Sequence, residues 1–256
     1  MATSKKTEVA VAATQELAFT AEAPAWMNQG PARGSEEVKS TDMVLPRLEI
    51  VQAQSPIKET DPEIRDGQLF NSVTQQVIGD LAYFVPVYFR VEYLIWKDSD
   101  EGGGFFGSFN SMAAAEVRRA EVINDGENPE FIEIVDTPVQ YGLLVKPGTT
   151  VGEQIVISMA KTKAKVSRKW NAMIQLAGGD RFSRVYKITT FTDENRLGKK
   201  FKNFVVQPAG YTPESVYRQA EALYEVLKTQ DIRVAHESAV EVPVDGGEGE
   251  GGRGNI

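Results

Sequence analysis

Between Lys161 and Lys202 the chain sets twelve Lys and Arg against three acids, Asp180, Asp193 and Glu194, although the whole protein carries a net charge of −8. Rings are interleaved with these cations. From Phe182 to Phe191, one parity holds Arg184, Tyr186 and Ile188, and the other holds Val185, Lys187 and Phe191. From Lys199 to Val206, Lys199, Phe201 and Val205 alternate with Lys200, Lys202, Phe204 and Val206. Upstream, Lys161, Lys163, Lys165, Arg168 and Lys169 crowd the start of a helical pattern. This mixture suits an unpaired nucleic-acid strand: cations follow the phosphates, and flat side chains stack on bases that lack a partner strand. The same residues would also fit a charged helix face beside a hairpin with one parity in the core and the other in water. Among the rings, Tyr186 and Phe201 are the expected surface pair.

A second aromatic group follows Gly102-Gly103-Gly104. Phe105 and Phe106 are expected there on a mobile loop tip, clamping a base or folding onto the core. The glycines are not a phosphate-binding P-loop, because no Gly-Lys-Ser/Thr follows them.

Other chemistries find little support. The chain has no cysteine, so thiol nucleophiles, disulfides and zinc–thiolate sites are excluded. Its one histidine, His236, lies just before a polar tail, which removes most imidazole acid–base chemistry. Ser108 lacks the flanking glycines of a nucleophile elbow. Asp61 with Glu63, or Asp193 with Glu194, could hold Mg²⁺ in a nuclease, but close acids on a turn also read as a solvated loop. The expectation is a protein that is not an enzyme and that needs no cofactor or metal.

The elements that must position these residues follow from periodicity. Leu45 to Gln52 and Gln68 to Val73 read as strands. Leu81 to Trp96, rich in Val, Ile, Tyr, Phe and Trp, is the most strand-prone stretch, with Pro86 as a break or an edge marker. Ser111 to Ile123 reads as a helix capped by Ser111. Phe131 to Val135 and Gln140 to Val145 read as two strands parted by Asp136-Thr137-Pro138, and Gln154 to Met159 as another. From Thr162 to Leu176, Val166, Trp170, Met173 and Ile174 share one helical face, with Thr162 as the cap. Phe182–Phe191 and Phe201–Gln207 form a hairpin. After Thr212-Pro213, a last helix buries Val216, Ala220, Leu223, Tyr224 and Leu227.

The ends differ in composition. Residues 1–40 and the Gly-rich acidic tail 238–256 are expected to be disordered, with Trp26-Met27 as the one apolar spot in the first. The folded domain then spans 41–237. No apolar run is long enough to span a membrane, and the N-terminus lacks the apolar stretch of a secretion signal.

Several segments resemble tailed-phage OB-fold single-stranded-DNA-binding proteins. They are Asp42-Met43-Val44-Leu45-Pro46-Arg47-Leu48, Tyr93-Leu94-Ile95-Trp96 with its glycines, Ser167-Arg168-Lys169-Trp170-Asn171, and the ending Tyr186 to Leu227 with its Gly198-Lys199-Lys200-Phe201 turn. The resemblance implies an α+β, mainly β fold. Its centre is an OB-like antiparallel barrel with a helix between strands, a C-terminal helix and an insertion at about 97–150. It also implies a cytoplasmic role in an infected host: coating and unfolding single-stranded DNA, and contacting phage replication or recombination proteins through the acidic tail, with homo-oligomers as one form. The tail departs from the pattern, ending Gly254-Asn255-Ile256 with sparse acids. Two other readings stand beside this one: a structural or interaction protein without DNA binding, and a metal-dependent nuclease.

Overall fold

The computed structural model describes residues 45–98, 101–195 and 198–229, together with Gly34, Glu36 and Glu37. The expected disordered ends, Trp26-Met27, Asp42 to Val44 and His236 lie outside the described residues. Within the unit Met1–Lys39, Gly34 N–H donates to the Glu36 carboxylate at 2.9 Å. All elements named below belong to the unit Ser40–Ile256.

Three short strands, β1 (Leu48–Ile50), β2 (Leu69–Asn71) and β3 (Val77–Gly79), pair antiparallel in chain order. A larger sheet contains β4 (Ala82–Lys97), β5 (Gly104–Phe109), β6 (Ile132–Val145), β7 (Glu153–Ser158), β8 (Arg184–Glu194) and β9 (Lys200–Tyr211). Its path runs β7-β6-β4-β8-β9, with β5 also on β4. The helices are α1 (Met112–Asn124), α2 (Ala164–Ala177) and α3 (Glu214–Thr229).

β4 runs through Pro86 without breaking. A bulge between Pro86 and Tyr88 absorbs the missing donor, and Pro86 faces Gly142. A side chain at Gly142 would place its Cβ 2.2 Å from the Val85 carbonyl and against the Phe84 ring, so only glycine fits. The two strands expected on either side of Pro138 are one strand, β6, which pairs with β4 from Tyr83–Val145 to Lys97–Ile132. Residues 97–150, expected as an insertion, thus supply the partner of β4 along its length. The glycine-rich segment also differs from expectation. Gly104 to Phe109 is the paired strand β5 rather than a loop tip.

Both faces of the sheet are covered. On one, Trp170 of α2 is fully buried, with ring centroids 5.5 Å from both Phe84 and Tyr186. Ile157, Ile188, Phe204 and the β1–β2 residues Leu48, Ile50 and Leu69 complete that layer. On the other, Val216, Ala220, Leu223 and Leu227 of α3 pack on Val85, Val139, Tyr141 and Leu143. α1 closes the far end, with Ala115 and Val122 against Ile95 and Ile132. Ser111 caps it as expected, its hydroxyl accepting from Ala114 N–H at 3.3 Å. α2 starts later than expected, after a 3-10 turn at Lys161–Lys163, and Thr162 does not cap it.

The architecture is therefore α+β, mainly β and antiparallel, but it is not a closed barrel. β1 meets β7 through one parallel bridge, Arg47 with Val156. It approaches β9 through the side chain of Gln52, which bonds the backbone of Lys202. Among the described residues no ladder joins β9 to β7, so the sheet stays open.

Candidate functional site

The gap left between β1 and the start of β9 is a cleft of about 390 Å³. One wall is β1 with the turn after it. The opposite wall is the 3-10 turn Lys161–Lys163 and the segment Lys199 to Lys202. β4, β6 and β7 supply Leu94, Trp96, Thr137 and Ser158. Six cations line it: Arg47, Lys161, Lys163, Lys199, Lys200 and Lys202. The single carboxylate among the lining residues is Glu49. A cationic concavity with apolar walls concentrates field and draws anions, even on a protein whose total charge is negative. By contrast, a second hollow of about 260 Å³, between α3 and the β6–β7 pair, has no charged lining residue.

Local contacts hold Arg47, Lys161, Lys163 and Lys202. Arg47 is 2% exposed, and its guanidinium contacts Glu49 at 2.8 Å, because residues two apart on a strand share a face. Lys161 Nζ lies 3.8 Å from Glu133. Lys163 Nζ sits 5.9 Å over the Phe204 ring. Lys202 Nζ donates to Thr192 Oγ1 at 2.9 Å. Lys199 and Lys200 are exposed. Three rings line the cleft, and Phe70 among them is buried at 6% exposure. Phe201 is half-buried on β9, and Trp96 packs against Phe105 at 4.8 Å between centroids.

Backbone strain is also concentrated here. Among the described residues, Gln75 and Lys161 are the two non-glycines in the left-handed region, with φ of 56° and 50°. Both line the cleft. Such a conformation costs a β-carbon-bearing residue about 1–2 kcal/mol, and strain of this kind gathers at functional surfaces.

Of the residues expected from sequence, the structure brings Lys161, Lys163, Lys199, Lys200, Phe201 and Lys202 together in this cleft. Lys165, Arg168 and Lys169 are exposed on α2 and do not line it. Arg184 and Lys187 lie toward the other end of the hairpin, paired with Tyr211 and Gln207. Tyr186 corrects the sequence reading. It is 1% exposed and packs on Trp170, because its parity, with Ile188, faces α2. Phe105 adjoins the cleft only by way of Trp96, and Phe106 packs with α1 in the far-end core. Arg47, Trp96 and Gln52 were not singled out as site residues. The Arg47/Glu49 spacing was a visible signal, since it puts both charges on one strand face.

Of the four acids considered for a metal, two carboxylates accept hydrogen bonds, Asp61 from Glu63 N–H at 2.8 Å and Asp193 from two donors. Asp193 accepts from Asn203 Nδ2 at 3.1 Å and from Glu194 N–H at 2.9 Å. No helix of the described residues is long and apolar enough to cross a membrane.

No curated protein and no solved structure matches the chain. Residues 12–233 match the model of the Pam3 phage gp34-like proteins. That match covers most of the 256 residues, so the chain belongs to the Pam3 phage gp34-like family.

Proposed function

We propose that this phage protein binds single-stranded DNA, without sequence preference, in the cleft between β1 and the start of β9. The observation that carries the reading is the gathering of six cations around one carboxylate, beside the rings of Phe201 and Trp96, on a molecule of net charge −8. Phosphates would lie along Lys161, Lys163, Lys199, Lys200 and Lys202 on the wall that faces β1. Phe201 and Trp96 offer ring surface to bases. The bases of duplex DNA are already stacked and paired, so a duplex gains nothing from such rings. The antiparallel sheet with a helix between β7 and β8 is consistent with an open relative of the OB type. Coating of exposed strands during phage replication or recombination, in the host cytoplasm, is the role such binding would serve.

A gel shift with single- and double-stranded DNA of equal length tests this. Retardation of the single strand at lower protein concentration is the expected result. Equal retardation of both, or of neither, overturns it. Including Mg²⁺ in a parallel lane separates binding from cleavage, because a nuclease would shorten the labelled strand.

A further inference from the structure

Arg181 opens the 3-10 turn Arg181–Ser183 and Arg184 opens β8 directly after it, and among the described residues neither has a carboxylate partner. Arg181 donates to the amide oxygens of Gln140 and Asn171, at 2.6 Å for Asn171, with its guanidinium 5.5 Å from the Phe89 ring centroid. Arg184 lies 4.7 Å over the Tyr211 ring and donates to its hydroxyl at 3.3 Å. In both arginines Nε is buried without an acceptor. In neither arginine does a carboxylate offset the desolvation of the guanidinium, which is costly for a cation. Desolvation already holds the Arg181 pKa down at about 10. The nearest acid in sequence, Asp180, accepts instead from the Tyr217 hydroxyl.

The ring beside Arg184 is unusually available. Tyr211 is 74% exposed at the end of the edge strand β9. Its backbone is fixed by the next residue: Thr212 N–H donates to Ser183 O at 3.1 Å, and Thr212 Oγ1 donates to Phe182 O at 2.8 Å. With Arg184 over the ring, the phenol is held in place while most of it faces water.

We propose that Arg181, Arg184 and Tyr211 form a second station for a single strand, the guanidiniums taking a phosphate and the Tyr211 ring a base. The inference rests on the cleft reading and extends it. β9 carries Lys202 near one end and Tyr211 at the other, on the order of 30 Å apart at the usual rise per strand residue. An oligonucleotide of about four residues, the small end of known site sizes, fills the cleft alone; one of about twenty spans both places. Tethering through the cleft then makes the second contact effectively intramolecular.

The test is fluorescence anisotropy of the full chain with labelled oligo-dT of these two lengths, using wild type, Tyr211→Ala, Tyr211→Phe and Arg184→Gln, each checked for an unchanged melting curve. For the long oligonucleotide, Tyr211→Ala binds roughly tenfold more weakly, the loss of one stacked base, and Tyr211→Phe retains affinity. For the short one, all variants match wild type. Unchanged long-oligonucleotide affinity in Tyr211→Ala and Arg184→Gln overturns the second station, and leaves the cleft standing if Lys200→Gln still weakens binding. Equal losses at both lengths also overturn it. If wild type binds neither length, the cleft reading and this one fall together.

Discussion

The side-chain amide of Gln52 spans both backbone groups of Lys202: Nε2 donates to the Lys202 carbonyl at 2.8 Å, and Oε1 accepts from its N–H at 2.8 Å. One glutamine thus does for the edge of β9 what another strand would do. It also sets the width of the cleft, because it ties the wall that carries Arg47 to the wall that carries Lys202. Gln52→Ala leaves two partly buried backbone groups without these partners, at a cost of about 1–3 kcal/mol. A urea titration should show a lower midpoint at constant slope, and oligo-dT affinity should drop in the same variant. An unchanged midpoint contradicts the clamp.

Tyr186 and Phe201 should behave oppositely. Tyr186 is packed between Trp170 and the sheet, so Tyr186→Ala creates a core cavity worth about 3–5 kcal/mol. Tyr186→Phe keeps the ring and leaves DNA affinity as it was. Phe201→Ala costs little stability but weakens oligo-dT binding by about 1–3 kcal/mol, the value of one stacked base. Paired melting and binding curves decide the matter. A large affinity loss in Tyr186→Phe would return that ring to the interface.

How much of this was legible in the residues alone depends on range. The helix faces of Trp170 and Leu223 follow from spacing of three and four, and the hairpin follows from its polar Gly198 turn, so both were readable. Of the basic window's twelve cations, five meet in one cleft, with Phe201 beside them. What failed needed partners distant in sequence. Pro86 and Pro138 look like breaks, yet each sits inside a strand whose partner or bulge accommodates the absent N–H. Gly104 to Phe109 looks like a loop until β4 is there to pair with it. Alternation along β8 gives two faces but does not say which one α2 covers, and that is why Tyr186 was placed on the wrong side. Gln52 could not be linked to Lys202 from sequence, because their meeting depends on the whole path of the sheet.

Two tyrosines should make the fold sensitive to alkali. Tyr217 donates to Asp180, and that carboxylate holds its hydroxyl protonated above the ordinary tyrosine range. Burial pushes Tyr186 the same way, against the opposing fields of Arg184 and Arg181. A folded-state pKa above the unfolded one means that the native chain holds these protons more tightly. The resulting stability is complete below the unfolded value, about 10, and is lost as pH rises through the folded value. The advantage of wild type over Tyr217→Phe in urea should therefore be constant near neutrality and shrink above about pH 10. A gap that does not depend on pH contradicts the Asp180–Tyr217 assignment.

Glu49 is the one negative lining group, and it occupies Arg47 at 2.8 Å. A phosphate approaching Arg47 must compete with it. Glu49→Gln should raise oligo-dT affinity at low salt by several-fold, with the gain fading at high salt as screening grows. A loss of affinity would mean that the pair is needed to hold the wall of the cleft.

Salt dependence reads directly where the phosphates sit. For a single strand, each neutralised phosphate contributes about 0.7 to the slope of log affinity against log salt. Replacing Lys199, Lys200 and Lys202 together with Gln should lower that slope by about 2, whereas replacing Lys165, Arg168 and Lys169 together should leave it near the wild-type value. Equal slope losses from the two triple variants, or no loss from the first, would contradict a binding cleft between β1 and β9.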